Sequence, residues 1–124
     1  PDGTCIRDYI HVSDIAEAHV NALNHLRNGG ESLTLNLGYG NGYSVREVLD
    51  MFNRITPTPI TIETGPRRIG EVYKLIADPG HVSQVLGWKP RNGDLRIIVE
   101  SAIAWEQKLA TEKADADKLK ELAE

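Results

Sequence analysis

Arg7 and Tyr9 stand two residues apart in the run Cys5-Ile6-Arg7-Asp8-Tyr9-Ile10-His11-Val12, a spacing that puts both side chains on one face of an extended strand. Arg7 offers a planar fork of donors to a phosphate, and Tyr9 an aromatic wall with a hydroxyl. A second guanidinium source, Arg67-Arg68, follows Pro66 and precedes Gly70. Two arginine sites of this kind can clamp a diphosphate. The same residues also fit a plainer role, with Arg7 paired to Asp8 or Glu17 and with Arg67 and Arg68 as ordinary solvated charges.

Two other patterns invite chemistry and carry less. Leu33 to Leu37, Gly38-x-Gly40-x-Gly42 and a helix from Ser44 imitate the strand, turn and helix of a dinucleotide site, with Glu63 about twenty residues further on. The fingerprint wants its third glycine where Tyr43 stands, so a turn joining two packed elements is the simpler reading. The four histidines build no metal site: His19 and His25 are six apart on a helix, and His11 and His81 lie on other elements. Trp88 and Trp105 read as core anchors rather than stacking platforms.

The elements that must position these residues alternate strand and helix. Apolar and polar residues alternate from Cys5 to Val12, then apolar positions recur at helical spacing through Ile15, Ala18, Ala22, Leu23 and Leu26. Asp14 with Glu17 predicts a capping box, and Gly29-Gly30 a stop. Ser32 to Leu37 predicts a strand, and Ser44 with Glu47 caps a helix that ends near Thr56, before Pro57 and Pro59. Ile60 to Glu63 and Tyr73 to Ala77 are two further strand candidates. Asp78-Pro79 opens a short helix closed by Gly87, and Asp94 opens the last one, whose stripe runs through Leu95, Ile98, Val99, Ala102, Ile103 and Trp105. The pattern is that of an α/β architecture. Residues 110–124 turn to Ala, Lys, Asp and Glu and read as a charged helical extension or tail.

Composition narrows the partners. The chain has 124 residues, of which 40% are apolar, enough for one modest core that buries roughly two thirds of the unfolded surface. A net charge of -4 leaves no broad basic field for nucleic acid, and no segment approaches the roughly twenty apolar residues that span a bilayer. Cys5 is the sole cysteine and is expected as a buried free thiol. With no charged-then-apolar leader in the sequence, the expected compartment is a reducing cytoplasm.

Asp2-Gly3-Thr4-Cys5-Ile6-Arg7-Asp8-Tyr9-Ile10-His11-Val12, followed by Asp14-Ile15-Ala16, closely resembles the UDP-glucose 4-epimerases of the extended short-chain dehydrogenase/reductase family. Leu35-Asn36-Leu37-Gly38, Gly40 to Val45, Pro66-Arg67-Arg68-x-Gly70, Ala77-Asp78 and Leu86-Gly87-Trp88 follow in that family's order. The resemblance covers roughly residues 1–109 and implies a UDP-sugar-binding C-terminal region. It implies Arg7 and Arg68 as the diphosphate clamp, Tyr9 lining the nucleotide side, Glu71 at the ribose hydroxyls where the family usually has aspartate, and Leu75 bordering the sugar.

In the family, an N-terminal Rossmann domain holds NAD and a tyrosine with lysine four residues later moves the proton. None of Tyr9, Tyr39, Tyr43 or Tyr73 has such a lysine, so the resemblance implies binding without turnover by this chain alone, with no catalytic residue and no cofactor of its own. The reaction implied for an intact enzyme passes a hydride from sugar C4 to NAD and back to the opposite face. The partners implied are UDP or a UDP-sugar and the missing N-terminal Rossmann half. The alternative is an assembly module that self-associates as a homo-oligomer through exposed sheet edges and apolar helix faces.

Overall fold

A computed structural model describes residues 2–121, with side chains as far as residue 116. Its elements run β1 (Ile6–Arg7), α1 (Val12–Arg27), β2 (Tyr43–Ser44), α2 (Val45–Ile55), β3 (Lys74–Leu75), α3 (Gly80–Leu86) and α4 (Leu95–Glu121). The alternation of strand and helix is that of an α/β chain, as its sequence pattern predicts.

The sheet is small and has β1 at its centre, in the order β2-β1-β3. β1 and β2 are antiparallel, with Ile6 opposite Ser44 and Arg7 opposite Tyr43. β1 and β3 are parallel, with Ile6 opposite Lys74 and Arg7 opposite Leu75. Two bonds extend these ladders, from Ile6 N to Tyr73 O at 2.9 Å and from Val45 N to Cys5 O at 3.1 Å.

Strands were the less legible elements. The alternation from Cys5 to Val12 gives a ladder at two residues only, because beyond Arg7 the chain leaves the sheet to cap α1. Ser32 to Leu37 forms no strand. Leu35 and Leu37 pack instead against the core of Ala18, Val82 and Trp88. Ile60 to Glu63 is not a strand either, and the Ile60 N–H donates to Asn53 Oδ1 at 3.0 Å rather than to a neighbouring strand. A strand needs a partner, and in these two segments local pattern supplied none.

Helix ends follow their signals more closely. Ser44 accepts from Glu47 N while Glu47 accepts from Ser44 N, a complete capping box, and α2 stops at Thr56. Asn28 caps the C-terminus of α1, followed by Gly29 at φ 82°, and Gly87 closes α3 in the left-handed region at φ 62°. Asp94 Oδ1 accepts from Arg96 N at 2.7 Å at the start of α4. Two caps differ from expectation. His11, not Asp14, is the N-cap of α1, and its Nδ1 accepts from Ser13 N at 3.1 Å. Glu17 faces Arg91 at 3.3 Å. Pro79 occupies the N-cap of α3 rather than its first turn, and Asp78 Oδ1 accepts from Gly80 N.

Packing joins the pieces in two places. α1 lies against α3 around Ala18, Val82 and Trp88, and α2 lies against α4, where Leu95 and Val99 are buried. Trp88 is fully enclosed, as an anchor should be, but Trp105 is 55% exposed with Lys108 Nζ 5.4 Å from its ring centre. By that point α4 is exposed on every described side, and its helix runs on to Glu121. The remainder of the 110–124 stretch lies outside the described residues. Cys5 is a free thiol, half-buried rather than enclosed.

Candidate functional site

A cleft of about 320 Å3 opens beside the β1–β3 pair, with Arg7, Asp8, Asn36, Leu75 and Ala77 among its walls. Parallel pairing puts Arg7 opposite Leu75, so two residues 68 positions apart share one rim. The Arg7 guanidinium donates to Ile6 O at 2.8 Å through Nη1 and faces Glu71 Oε1 at 3.9 Å through Nη2. That partner is neither Asp8 nor Glu17. With both side chains about 30% exposed, the pair is loose and leaves the guanidinium able to take a stronger anion.

Glu71 belongs to a tight turn in which its N–H donates to Arg68 O at 3.3 Å, with Gly70 at φ 79°. Arg67 Nη2 donates to Glu71 O at 3.4 Å. The turn carries Arg67, Arg68 and Glu71, of which Glu71 faces Arg7, and the Arg68 side chain is solvent-facing rather than part of the cleft wall. Tyr9 is half-buried and also stands off the wall. Burial pushes its phenol up, while the Arg7 charge opposes that shift. Of the sequence-derived set, the structure thus brings Arg7, Glu71 and Leu75 together, and leaves Tyr9 and Arg68 at the margin.

Asp8 was not singled out by sequence. Its carboxylate accepts from Tyr39 N at 3.0 Å, Gly40 N at 3.0 Å and Ala77 N at 3.3 Å. A signal was there: a glycine-rich turn exposes amides that need an acceptor. This contact also decides the dinucleotide reading of the same loop. Two of the amides that would have to cradle a pyrophosphate are occupied by the chain's own carboxylate, and no strand leads into the turn.

Behind the cleft lies a second polar node. Asp14 is 1% exposed and accepts from Tyr39 Oη at 2.6 Å, Asn92 N at 2.9 Å, Asn92 Nδ2 at 2.8 Å and Arg91 N at 3.2 Å. Its backbone carbonyl accepts from Trp88 Nε1 at 2.9 Å, and Tyr39 Oη accepts from His11 N at 3.0 Å. Burial alone would push the Asp14 carboxyl up, but the donors from Tyr39, Asn92 and Arg91 outweigh it and hold the group below the usual range. The Tyr39 phenol is pushed up to about 12 by burial and by its bond to Asp14.

Elsewhere, a shallow depression of about 440 Å3 at the end of α1 is lined by amide side chains with His25, whose Nε2 lies 3.2 Å from Glu31 O. It contains no arginine or lysine. Among the described residues, no group of three or more His, Cys, Asp or Glu is placed to hold a metal ion, and no helix is long and apolar enough to cross a membrane.

The profile of the NAD dependent epimerase/dehydratase family matches residues 1–38. The UDP-glucose 4-epimerase of Azospirillum brasilense is 50% identical over 109 residues, 88% of this chain and 31% of that protein. Among solved structures, the UDP-glucose 4-epimerase of Stenotrophomonas maltophila, with bound NAD and formylated UDP-arabinopyranose, superposes with a TM-score of 0.81 at 40% identity. That match covers 90% of this chain and 33% of the other. The chain corresponds to the C-terminal portion of the UDP-glucose 4-epimerase family. The epimerase of Bifidobacterium longum in complex with NAD+ and UDP gives a TM-score of 0.78 at 38% identity, over 87% of this chain and 32% of that epimerase. The chain therefore spans about a third of the length of the epimerases it matches.

Proposed function

We propose that residues 1–109 form the UDP-sugar-binding region of an NAD-dependent UDP-glucose 4-epimerase, and that this region holds UDP or a UDP-sugar without turning it over by itself. The observation that carries this reading is the Arg7 guanidinium on the rim of the cleft, with Glu71, Leu75 and the Arg67-Arg68 turn around it. Arg7 and Arg68 neutralise the diphosphate from two sides. Tyr9 flanks the nucleoside, Glu71 meets the ribose hydroxyls on release from Arg7, and Leu75 borders the sugar. NAD would supply the redox step in an intact enzyme. At the glycine turn two backbone amides are taken by Asp8, and no described tyrosine has a lysine four residues on.

Isothermal titration with UDP tests the reading, on the wild-type chain and on Arg7→Ala and Arg68→Ala. Saturable binding lost in Arg7→Ala and weakened at least tenfold in Arg68→Ala is expected, with stronger binding at low salt. Absence of heat from the wild-type chain would overturn it.

One observation favours a second, compatible role as an assembly module. Val12, Val20, Leu23 and Leu26 are 48–72% exposed, on the side of α1 opposite the buried Asp14 and Ala18. An apolar stripe facing water suits either the remainder of an epimerase-length protein or a second copy of this chain.

A further inference from the structure

We propose that Asp8 is the positioning residue of the cleft: from its place in the lining it ties the two walls together and so fixes the distance between the Arg7 rim and the floor. The inference rests on the nucleotide-binding reading above. It starts from where the bonds of Asp8 go. Two oxygens serve three backbone donors that come from two separate segments. Tyr39 and Gly40 belong to the turn that follows Asn36 and Leu37 on one wall, while Ala77 follows Leu75 and Ile76 on the other. These partners lie 31, 32 and 69 residues away in sequence, and no ladder joins the two walls directly, since the segment before Gly38 forms no strand. The charge-assisted bonds of one carboxylate take the place of that ladder.

The close fit around this carboxylate supports the same role. A Cβ at Gly38 would lie 2.5 Å from Asp8 Oδ2 and 2.6 Å from Ala77 Cβ. Gly38 is therefore held against both Asp8 and the opposite wall, with no room for the gap to close further. Arg7, the adjacent residue on β1, lines the same cleft but takes no part in these bonds, since its Nη1 donates to Ile6 O and its Nη2 faces Glu71. A shift at Asp8 consequently moves the floor relative to the guanidinium, which remains anchored by the β1–β3 pairing.

The test combines UDP titration with amide hydrogen exchange by NMR on the same chain, in wild type, Asp8→Asn, Asp8→Ala, Gly38→Ala and Arg7→Ala. Asp8→Ala should speed exchange at Tyr39, Gly40 and Ala77 at least tenfold and weaken UDP about tenfold, while the amides of α2 and α4 keep their protection. Asp8→Asn, which retains one acceptor, should fall between wild type and Asp8→Ala on both readouts. Gly38→Ala disturbs the same contact from the opposite side and should reproduce the pattern. Arg7→Ala should lose UDP with the three amides still protected. Unchanged exchange in Asp8→Ala, or faster exchange with wild-type UDP affinity, overturns the proposal. A wild-type chain that protects the three amides through Asp8 yet binds no UDP would sink the nucleotide reading and reduce Asp8 to a loop anchor, which also overturns a ligand-positioning role.

Discussion

Asp14 carries more of the molecule than its place in the first turn of a helix suggests. A buried carboxylate is tolerable only when donors replace its water, and here four of them come from three residues in two segments. Asp14→Asn leaves donors facing an NH2 group, and a loss of about 2–3 kcal/mol is expected, in line with hydrogen bonds to a charged group. Chemical denaturation of the two chains measures it. The pH dependence has a definite sign. A carboxyl held below its ordinary value of 3.8 stabilises the fold above that value, and the contribution is lost as the pH falls through the lowered one. Asp2 adds the same sign, held at about 2 by bonds from Ser44 Oγ and from Thr4. The thermal midpoint should therefore fall as the pH drops from about 4 towards 2, and less steeply in Asp14→Asn. None of this was legible beforehand. The sequence motif around Asp14 reads as a cap because local spacing is all it displays, while the partners that claim the carboxylate lie 25 to 78 residues away.

Among the elements, helices announced themselves and strands did not, for a physical reason. A helix satisfies its backbone within itself, so Ser44 with Glu47, Gly87 and Asp94 are enough to place its ends. A strand is defined by a neighbour, and the β1–β3 pairing joins residues 68 apart. The cap of α2 is also held from outside: Ser44 Oγ donates to Asp2 Oδ2 at 2.5 Å while accepting from Glu47 N at 3.1 Å. Ser44→Ala should cost about 1–2 kcal/mol, at the upper end for an N-cap because a second bond goes with it. In a thermal melt this reads as a fall of about 4–8 °C. A change under about 1 °C would mean that Asp2 and the cap contribute nothing to the stability of α2.

At the scale of the whole molecule, the chain matches about a third of each epimerase, and α1 presents an apolar side to water. β2 and β3 each pair with β1 on one side only among the described residues, and Ile69, Val72 and Leu75 are also exposed. In solution the chain should bind an apolar dye and elute ahead of a monomer of 13.7 kDa on size exclusion. The double variant Leu23→Glu/Leu26→Glu should lower both signals without loss of helix content, since neither side chain is buried. A monomeric wild type that leaves the dye dark would remove the assembly role. The order of motifs along the chain disclosed the family, yet the shape of the cleft depended on Asp8 and on a parallel pairing that spacing alone does not reveal.

The Asp14 node also sets a timetable during synthesis. The helix that bears this carboxylate leaves the ribosome before its partners, and Arg91 and Asn92 follow 77 and 78 residues later. At roughly 5–20 residues per second, that is an interval of about 4–16 s. Throughout it the Asp14 carboxylate lacks the donors from Arg91 and Asn92, and for nearly all of it the Trp88 indole has not yet been made.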